Sequence, residues 1–249
     1  MTTAVLADVH ANLPALESVL AEVEASGAER VLVLGDVVGY GASPAECVER
    51  VREAADGAVM GNHDFASLGG GYQPGTHEAA RRALQWTRSR LDVSARRFLS
   101  SLPACSVDLG MVMAHGCFLN ENAYYRGYTT STTLGRNLEA VARHPEWPSV
   151  AVCGHTHVPM CAWLADDEAV EASPFHRVTW PEDAQAVLIN PGSVGQPRDG
   201  DPRAAFALVD VDRRTVELRR VPYDVGRAAA MVTAAGLPDE LARRLWRGT

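Results

Sequence analysis

The chain reads as an α/β protein built largely on parallel strands, and two observations predict this. The short apolar runs Ala4-Val5-Leu6-Ala7, Val31-Leu32-Val33-Leu34, Ala58-Val59-Met60, Met111-Val112-Met113-Ala114 and Val150-Ala151-Val152-Cys153 show no polar alternation. Strands buried on both faces have this appearance. Between the first of these runs stand segments with helical periodicity. Strand, helix, strand, helix, strand is the order of a parallel sheet with crossover helices.

The first strand feeds a well-signalled helix. Asn12 is placed to cap it, Pro14 suits its first turn, Leu16, Val19, Leu20 and Val23 share a face, and Gly27 stops it. After the strand at 31–34, Ser43-Pro44-Ala45-Glu46 has capping-box spacing, with Glu46 reaching back to the N-cap amide. Beyond Asp64, Gly69-Gly70-Gly71 is a flexible joint, and residues 76–90 and 94–101 read as helices. This stretch, about 66–106, is expected to be a helical, cap-like insert in a single domain spanning 1–249. The run at 111–114 restarts the sheet, and a helix is expected over 134–143. Residues 160–185 are acidic and irregular, an edge hairpin or a mobile flap. Strands at 186–189, 205–210 and 215–221 and a short helix near 239–246 complete the pattern. There is no internal repeat and no linker long enough to divide domains.

A chain of 249 residues can bury a substantial core as one domain. Its formal net charge of -8 argues against a surface that coats nucleic acid, which needs a basic stripe. The five cysteines (Cys47, Cys105, Cys117, Cys153, Cys161) form no CxxC pair, so reduced packing thiols are expected. No signal-peptide pattern and no membrane-length apolar stretch is present, and a reducing cytoplasm is the expected location.

Each apolar run ends in a group able to bind a cation. The endings are Asp8-Val9-His10, Gly35-Asp36, Gly61-Asn62-His63-Asp64, His115 and Gly154-His155-Thr156-His157. Taken singly these are ordinary: a His after a strand is usually a hydrogen-bonded surface residue, and Gly-Asp is a common turn. Together they lie where open α/β sheets bind ligands, beyond the carboxyl ends of the strands. So many Asp and His groups at one sheet edge, without a cation, would leave like charges and lone pairs facing each other. The pattern is that of a metalloenzyme.

In this order the endings resemble the signature of the calcineurin-like metallophosphoesterases, and the resemblance covers nearly the whole chain. The opening from Asp8 to Leu16, and Asn190-Pro191-Gly192-Ser193-Val194-Gly195-Gln196-Pro197-Arg198, resemble the small bacterial and archaeal branch. That branch contains phosphodiesterases and asymmetric diadenosine tetraphosphate hydrolases. The resemblance implies two stacked mixed β-sheets flanked by helices, with two divalent transition-metal ions at one edge. It would give Asp8, His10, Asp36 and His157 to one metal, and Asp36, Asn62, His115 and His155 to the other.

Phosphoester hydrolysis at neutral pH needs a strong nucleophile and compensation for phosphoryl charge. Two cations about 3.5–4 Å apart supply both, acidifying a bridging water and clamping an in-line displacement. Asp36 is the candidate bridge. Mixed oxygen and imidazole ligands suit Mn foremost, or Fe, Zn or Ni, better than Ca or Mg. The absence of thiolates argues against a closed structural zinc site. His63 follows Asn62 directly and should point away from the metals. The resemblance implies that it meets the phosphoryl or leaving oxygen, oriented by Asp64; a structural His63–Asp64 ion pair is the bland alternative. Asn12 can reach the substrate or simply cap its helix. Arg198 can clamp a second phosphate or lie on the surface. Gly192, Ser193 and Gly195 can offer amides to a phosphate or form a plain turn, and Tyr124, Tyr125 and Tyr128, in a loop with Arg126, can stack on a base or pack. The expected substrate is small, phosphorylated and nucleotide-like, with no membrane partner; oligomeric state is not legible. A phosphomonoesterase or protein phosphatase, and a metal-free binding scaffold of the same fold, are the other readings.

Overall fold

Alternation along the first strand decides the layering. In β1 (Thr3–Leu6), Ala4 and Leu6 face one core cluster and Val5 another, as the two-residue period of a strand requires. The computed structural model describes residues 1–121, 124, 127–166 and 168–249. On the Ala4 and Leu6 side lie α1 (Leu13–Ser26) and α2 (Pro44–Ala54), whose Leu16, Val19 and Val48 fill the outer core with Phe206. On the Val5 side lies a second sheet.

The first sheet joins β1 to β2 (Arg30–Val33), β3 (Gly57–Ala58), β9 (Arg177–Thr179), β11 (Ala204–Asp210) and β12 (Thr215–Val221), in the order β3-β2-β1-β11-β12-β9. The second contains β4 (Cys105–Asp108), β5 (Met111–Ala114), β6 (Val150–Val152), β7 (Met160–Ala165), β8 (Glu168–Glu171) and β10 (Ala186–Asn190), in the order β4-β5-β6-β10-β7-β8. Val5, Leu32 and Leu34 meet Met113, Val152 and Ile189 between the sheets. Outside the second sheet, α6 (Leu134–Arg143) lays Leu138 and Val141 on Val112, Ala151 and Leu188. The layers are therefore helix, sheet, sheet, helix. Leu16 and Leu138 are fully buried, and truncating either to Ala costs about 2–5 kcal/mol.

The expectation of a largely parallel sheet needs correction. Among the described residues only β1·β2, β2·β3, β5·β6 and β6·β10 are parallel; the other six pairings are antiparallel. The reason is local connection. A two-residue turn at Leu109 and Gly110, both at positive φ (51° and 75°), folds β4 onto β5, the backbone that a tight hairpin needs. Residues 160–185 form the β7–β8 edge hairpin and the short β9, the first of the two forms expected of them.

Helix signals in the sequence fared unevenly. Asn12 accepts from the Ala15 amide at 3.3 Å, and Gly27 ends α1 in the left-handed conformation. Ser43 starts α2, but the capping box does not form. Its backbone amide, which Glu46 would have accepted from, donates to Ala11 O at 3.0 Å. Three helices occupy 62–101: α3 (Asn62–Ser67), α4 (Glu78–Arg90) and α5 (Val93–Ser101). Ala95 and Leu99 of α5 belong to the outer core of the first sheet. Ala83 of α4 packs against α7 (Val225–Ala234) and α8 (Asp239–Arg247) through Val232 and Leu241. No helix among the described residues is long and apolar enough to cross a membrane.

Candidate metal centre and its cleft

The parallel strands of both sheets end at one edge, and their loops are stitched together by backbone bonds. Asp8 N donates to Gly35 O at 3.1 Å, His10 N to Asp36 O at 2.8 Å and Gly154 N to His115 O at 2.9 Å. The chain bends sharply to do this. Ten non-glycine residues lie at positive φ among those described, and seven of them (Asp8, His10, Ala11, Asp36, Tyr40, His155, His157) are in these loops. Such backbone costs of order 1–3 kcal/mol per residue and gathers at functional sites. Close approach adds a second demand. A Cβ on Gly61 would strike the Asp36 carboxylate and amide, so this position of the Gly61-Asn62-His63 turn has no room for a side chain.

Seven residues read from the sequence as metal ligands converge here. Asp8, His10 and His157 place one ligand atom each within 4.8 Å of one another, and so do Asp36, His115 and His155. Asn62 Oδ1 lies 3.1 Å from His115 Nε2. Asp36 Oδ2 stands between the groups, 3.6 Å from His10 Nε2 and 3.4 Å from His115 Nε2. His63 also enters the cluster. One of its nitrogens lies within 4.8 Å of ligand atoms of His10 and Asp36, so the expectation that it points away from them is not met.

Backbone carbonyls set the ring orientations. His10 Nδ1 faces Val38 O at 3.3 Å, His115 Nδ1 faces Leu34 O at 2.7 Å, and His157 Nδ1 faces Gln196 O at 2.5 Å. A carbonyl only accepts, so each Nδ1 carries hydrogen and each Nε2 is turned inward. His10 Nε2 and His157 Nε2 are then 3.1 Å apart. Burial pushes both rings to the neutral form, well below the ordinary imidazole range. Two lone pairs therefore face each other, which a cation satisfies and a hydrogen bond does not. Two nitrogens about 2.0–2.1 Å from one ion are about 3.0–3.4 Å apart, and 3.1 Å fits. The donor set suits divalent metal, and Asp8, His10, Asp36, Asn62, His115, His155 and His157 are the residues that would hold it.

The charges inside this pocket are strongly coupled. Burial pushes the Asp8 carboxyl up to about 7. Burial would also raise Asp36, but His115 and the neighbouring His63 hold it well below the usual carboxylate range. Burial opposes the charge on His115, yet Asp36 beside it keeps the ring protonated up to about 9. Burial brings His63 down to about 4.

Asp64 takes a different place from the one expected. Its oxygens accept from Val38 N at 3.1 Å and Gly61 N at 3.0 Å, binding the start of α3 to the loop after β2. Meanwhile His63 Nδ1 is buried with no hydrogen-bond partner. Asp64 therefore braces the backbone around His63 and does not orient its imidazole. Asn12 is likewise committed: besides capping α1, its Nδ2 donates to Gly195 O at 2.8 Å. It lines a small apolar cavity behind His10, not the cleft over the metal cluster. The 192–195 turn is a brace. Val194 N and Gly195 N donate to Ala7 O and Asp8 O, both at 2.9 Å, so these amides are unavailable to a phosphate. Asn190, which sequence reasoning passed over, is fully buried and donates to Gly154 O at 2.8 Å, holding the Gly154-His155 turn.

A cleft of about 230 Å³ opens over the cluster, lined by Asp36, Asn62, His63, His155 and His157 and walled by residues from α4 and α8. Arg198 lies in it, with Nη2 at 3.4 Å from Tyr40 Oη. The ring of Tyr128 covers His155 at 4.2 Å between centroids. Tyr124 instead packs beside Trp147 in the outer core; Tyr125 and Arg126 fall outside the described residues.

The chain is similar to known proteins over most of its length. A metallophosphoesterase structure from Sphaerobacter thermophilus is 34% identical, superposes with a TM-score of 0.84, and is matched over 100% of this chain and 99% of its own. An uncharacterized protein of Methanocaldococcus jannaschii is 31% identical over 98% of this chain and 97% of its own. The phosphodiesterase YfcE of Escherichia coli is 27% identical over 82% of this chain and 85% of its own. The calcineurin-like phosphoesterase superfamily domain matches residues 1–214. The chain belongs to the calcineurin-like phosphoesterase superfamily and is a hydrolase of phosphoester bonds.

Proposed function

We propose that the protein hydrolyses phosphodiester or nucleoside polyphosphate substrates at a site holding two divalent transition-metal ions, manganese foremost, bridged by Asp36. The observation that carries this reading is the position of Asp36 Oδ2, 3.6 Å from His10 Nε2 and 3.4 Å from His115 Nε2. Those nitrogens belong to the two halves of the cluster. When bound, such a pair of ions acidifies a water and offsets the charge of the phosphoryl oxygens. The chain's own residues do the rest. His63, neutral in the free protein, takes up a proton as the anionic substrate binds beside it. It gives that proton to the leaving oxygen as the P–O ester bond breaks, while the attacking water bonds to phosphorus and loses its own proton to solvent. The His63 amide, Asp64 and the carbonyls behind His10, His115 and His157 fix the ligands before substrate arrives. Tyr128 supplies an aromatic face at the cleft for a base, and half of its surface is exposed. The phosphodiesterase name of the Escherichia coli relative supports a diester over a phosphoprotein. Five free cysteines, four of them buried at Cys47, Cys117, Cys153 and Cys161, suit a reducing cytoplasm.

The test is turnover of bis-p-nitrophenyl phosphate, diadenosine tetraphosphate and a phosphopeptide with manganese, alongside elemental analysis. Rapid cleavage of the first two supports the reading. Cleavage of the phosphopeptide alone replaces it with a phosphomonoesterase.

A further inference from the structure

The cleft carries more positive charge than a metal centre alone requires, in a chain whose formal net charge is -8. Arg198 leaves the turn behind His157, its amide donating to His157 O at 3.3 Å. The guanidinium lies 5.9 Å from the centre of the Tyr40 ring, with Nη2 at 3.2 Å from Gln196 Oε1. Its Nε is buried with no hydrogen-bond partner. Arg244 enters the same cleft from α8 and donates only Nε to a described acceptor, Thr249 O at 2.7 Å. No side-chain carboxylate forms an ion pair with either arginine among the described residues, whereas even exposed Arg50, Arg52 and Arg203 have such partners. Glu240 lines the cleft one turn earlier on α8 but makes no ion pair with Arg244. Burial and the nearby charge of Arg198 both weaken the hold of Arg244 on its proton, and Tyr40 and Glu240 oppose this only in part, so two like charges share the cleft with no described carboxylate bonded to either.

We infer that Arg198 and Arg244 form a second anion subsite, which holds a phosphate linked by an anhydride bond to the one at the metal centre. This rests on the phosphoesterase reading above and narrows its substrate to organic polyphosphates. Guanidinium forks match phosphate oxygens in pairs, and the free Nη groups of Arg244 and the orphaned Nε of Arg198 are the donors on offer. Their placement also explains the role of α8. The superfamily match ends at residue 214, and beyond it α8 adds Arg244 to the cleft.

The test compares pyrophosphate with orthophosphate binding to the manganese-loaded protein by calorimetry, in wild type, Arg198→Gln and Arg244→Gln. Each variant should lose about 10- to 100-fold of the preference for pyrophosphate, the scale of a lost charge-assisted bond. Arg244→Lys, which keeps the charge, should lose less, and a melting curve shows whether each variant is folded. In turnover, KM for diadenosine tetraphosphate should rise by a much larger factor than KM for bis-p-nitrophenyl phosphate. A pyrophosphate preference that ignores both substitutions overturns the subsite, whatever the activity. Arginine-dependent pyrophosphate binding without turnover of any phosphoester keeps the subsite and overturns the hydrolytic assignment instead.

Discussion

The backbone amide of His63 donates to Asp36 Oδ1 at 2.8 Å. This bond divides the labour of one carboxylate: Oδ1 is held by the protein, and Oδ2 is left facing His10 and His115. It also ties the metal cluster to the residue assigned to the substrate, through the backbone and not through the imidazole. Side-chain substitution at His63 therefore preserves the Asp36 contact. His63→Ala should keep its bound metal and lower turnover roughly 10²-fold or more, the scale for a lost acid–base group. Elemental analysis of that variant checks the assignment, and loss of one ion would make His63 a ligand.

Metal uptake should be coupled to proton release. In the metal-free protein His115 holds a proton up to about 9, and Asp8 up to about 7. Both must be deprotonated to ligate. Below about 7 two protons leave as metal enters, between about 7 and 9 one leaves, and above 9 neither does. Metal affinity should accordingly climb as pH rises through this window and level off above it. Calorimetry in two buffers of different ionisation enthalpy counts the protons; an affinity flat from pH 6 to 9 would sink the coupling.

Gly61 and Gly135 should respond in opposite ways to alanine. At Gly61 the new methyl meets the Asp36 carboxylate and amide, whereas at Gly135 in α6 it finds only Ala169 Cβ at 3.9 Å. Gly61→Ala is expected to weaken metal binding at least tenfold through displacement of the bridge, a loss of about 1.4 kcal/mol. Gly135→Ala should stabilise by about 0.5–1 kcal/mol, the usual gain in a helix. Thermal melts with metal titration separate the two effects.

The clustering of Asp8, His10, Asp36, His115, His155 and His157 was legible because each closes or follows an apolar run, and parallel strands deliver their ends to one edge. Sheet direction was less legible. Buried strands look alike whether their neighbours run parallel or not, and the antiparallel β11–β12 and β7–β8 pairs are set by their short connections. Helix α3, six residues long, is too short for a periodic signal. Its capping acid, Asp64, sits beside His63 in sequence and so suggested a partnership that its hydrogen bonds do not make. The capping box at Ser43 failed for a related reason: a long-range acceptor, Ala11 O, took the amide first. Arg244 and Tyr40 carry no local pattern. Only the packing of α8 against α4 and α7 brings Arg244 to the cleft.

The bridging role proposed for Asp36 is tested most directly by counting metal in the purified protein and in Asp36→Asn, each reconstituted with manganese. Two ions per chain are expected in the wild type. The variant should remain folded, lose most of its metal and nearly all turnover, because its amide supplies no negative charge to hold two cations together. Full occupancy by two ions in Asp36→Asn would contradict the bridge.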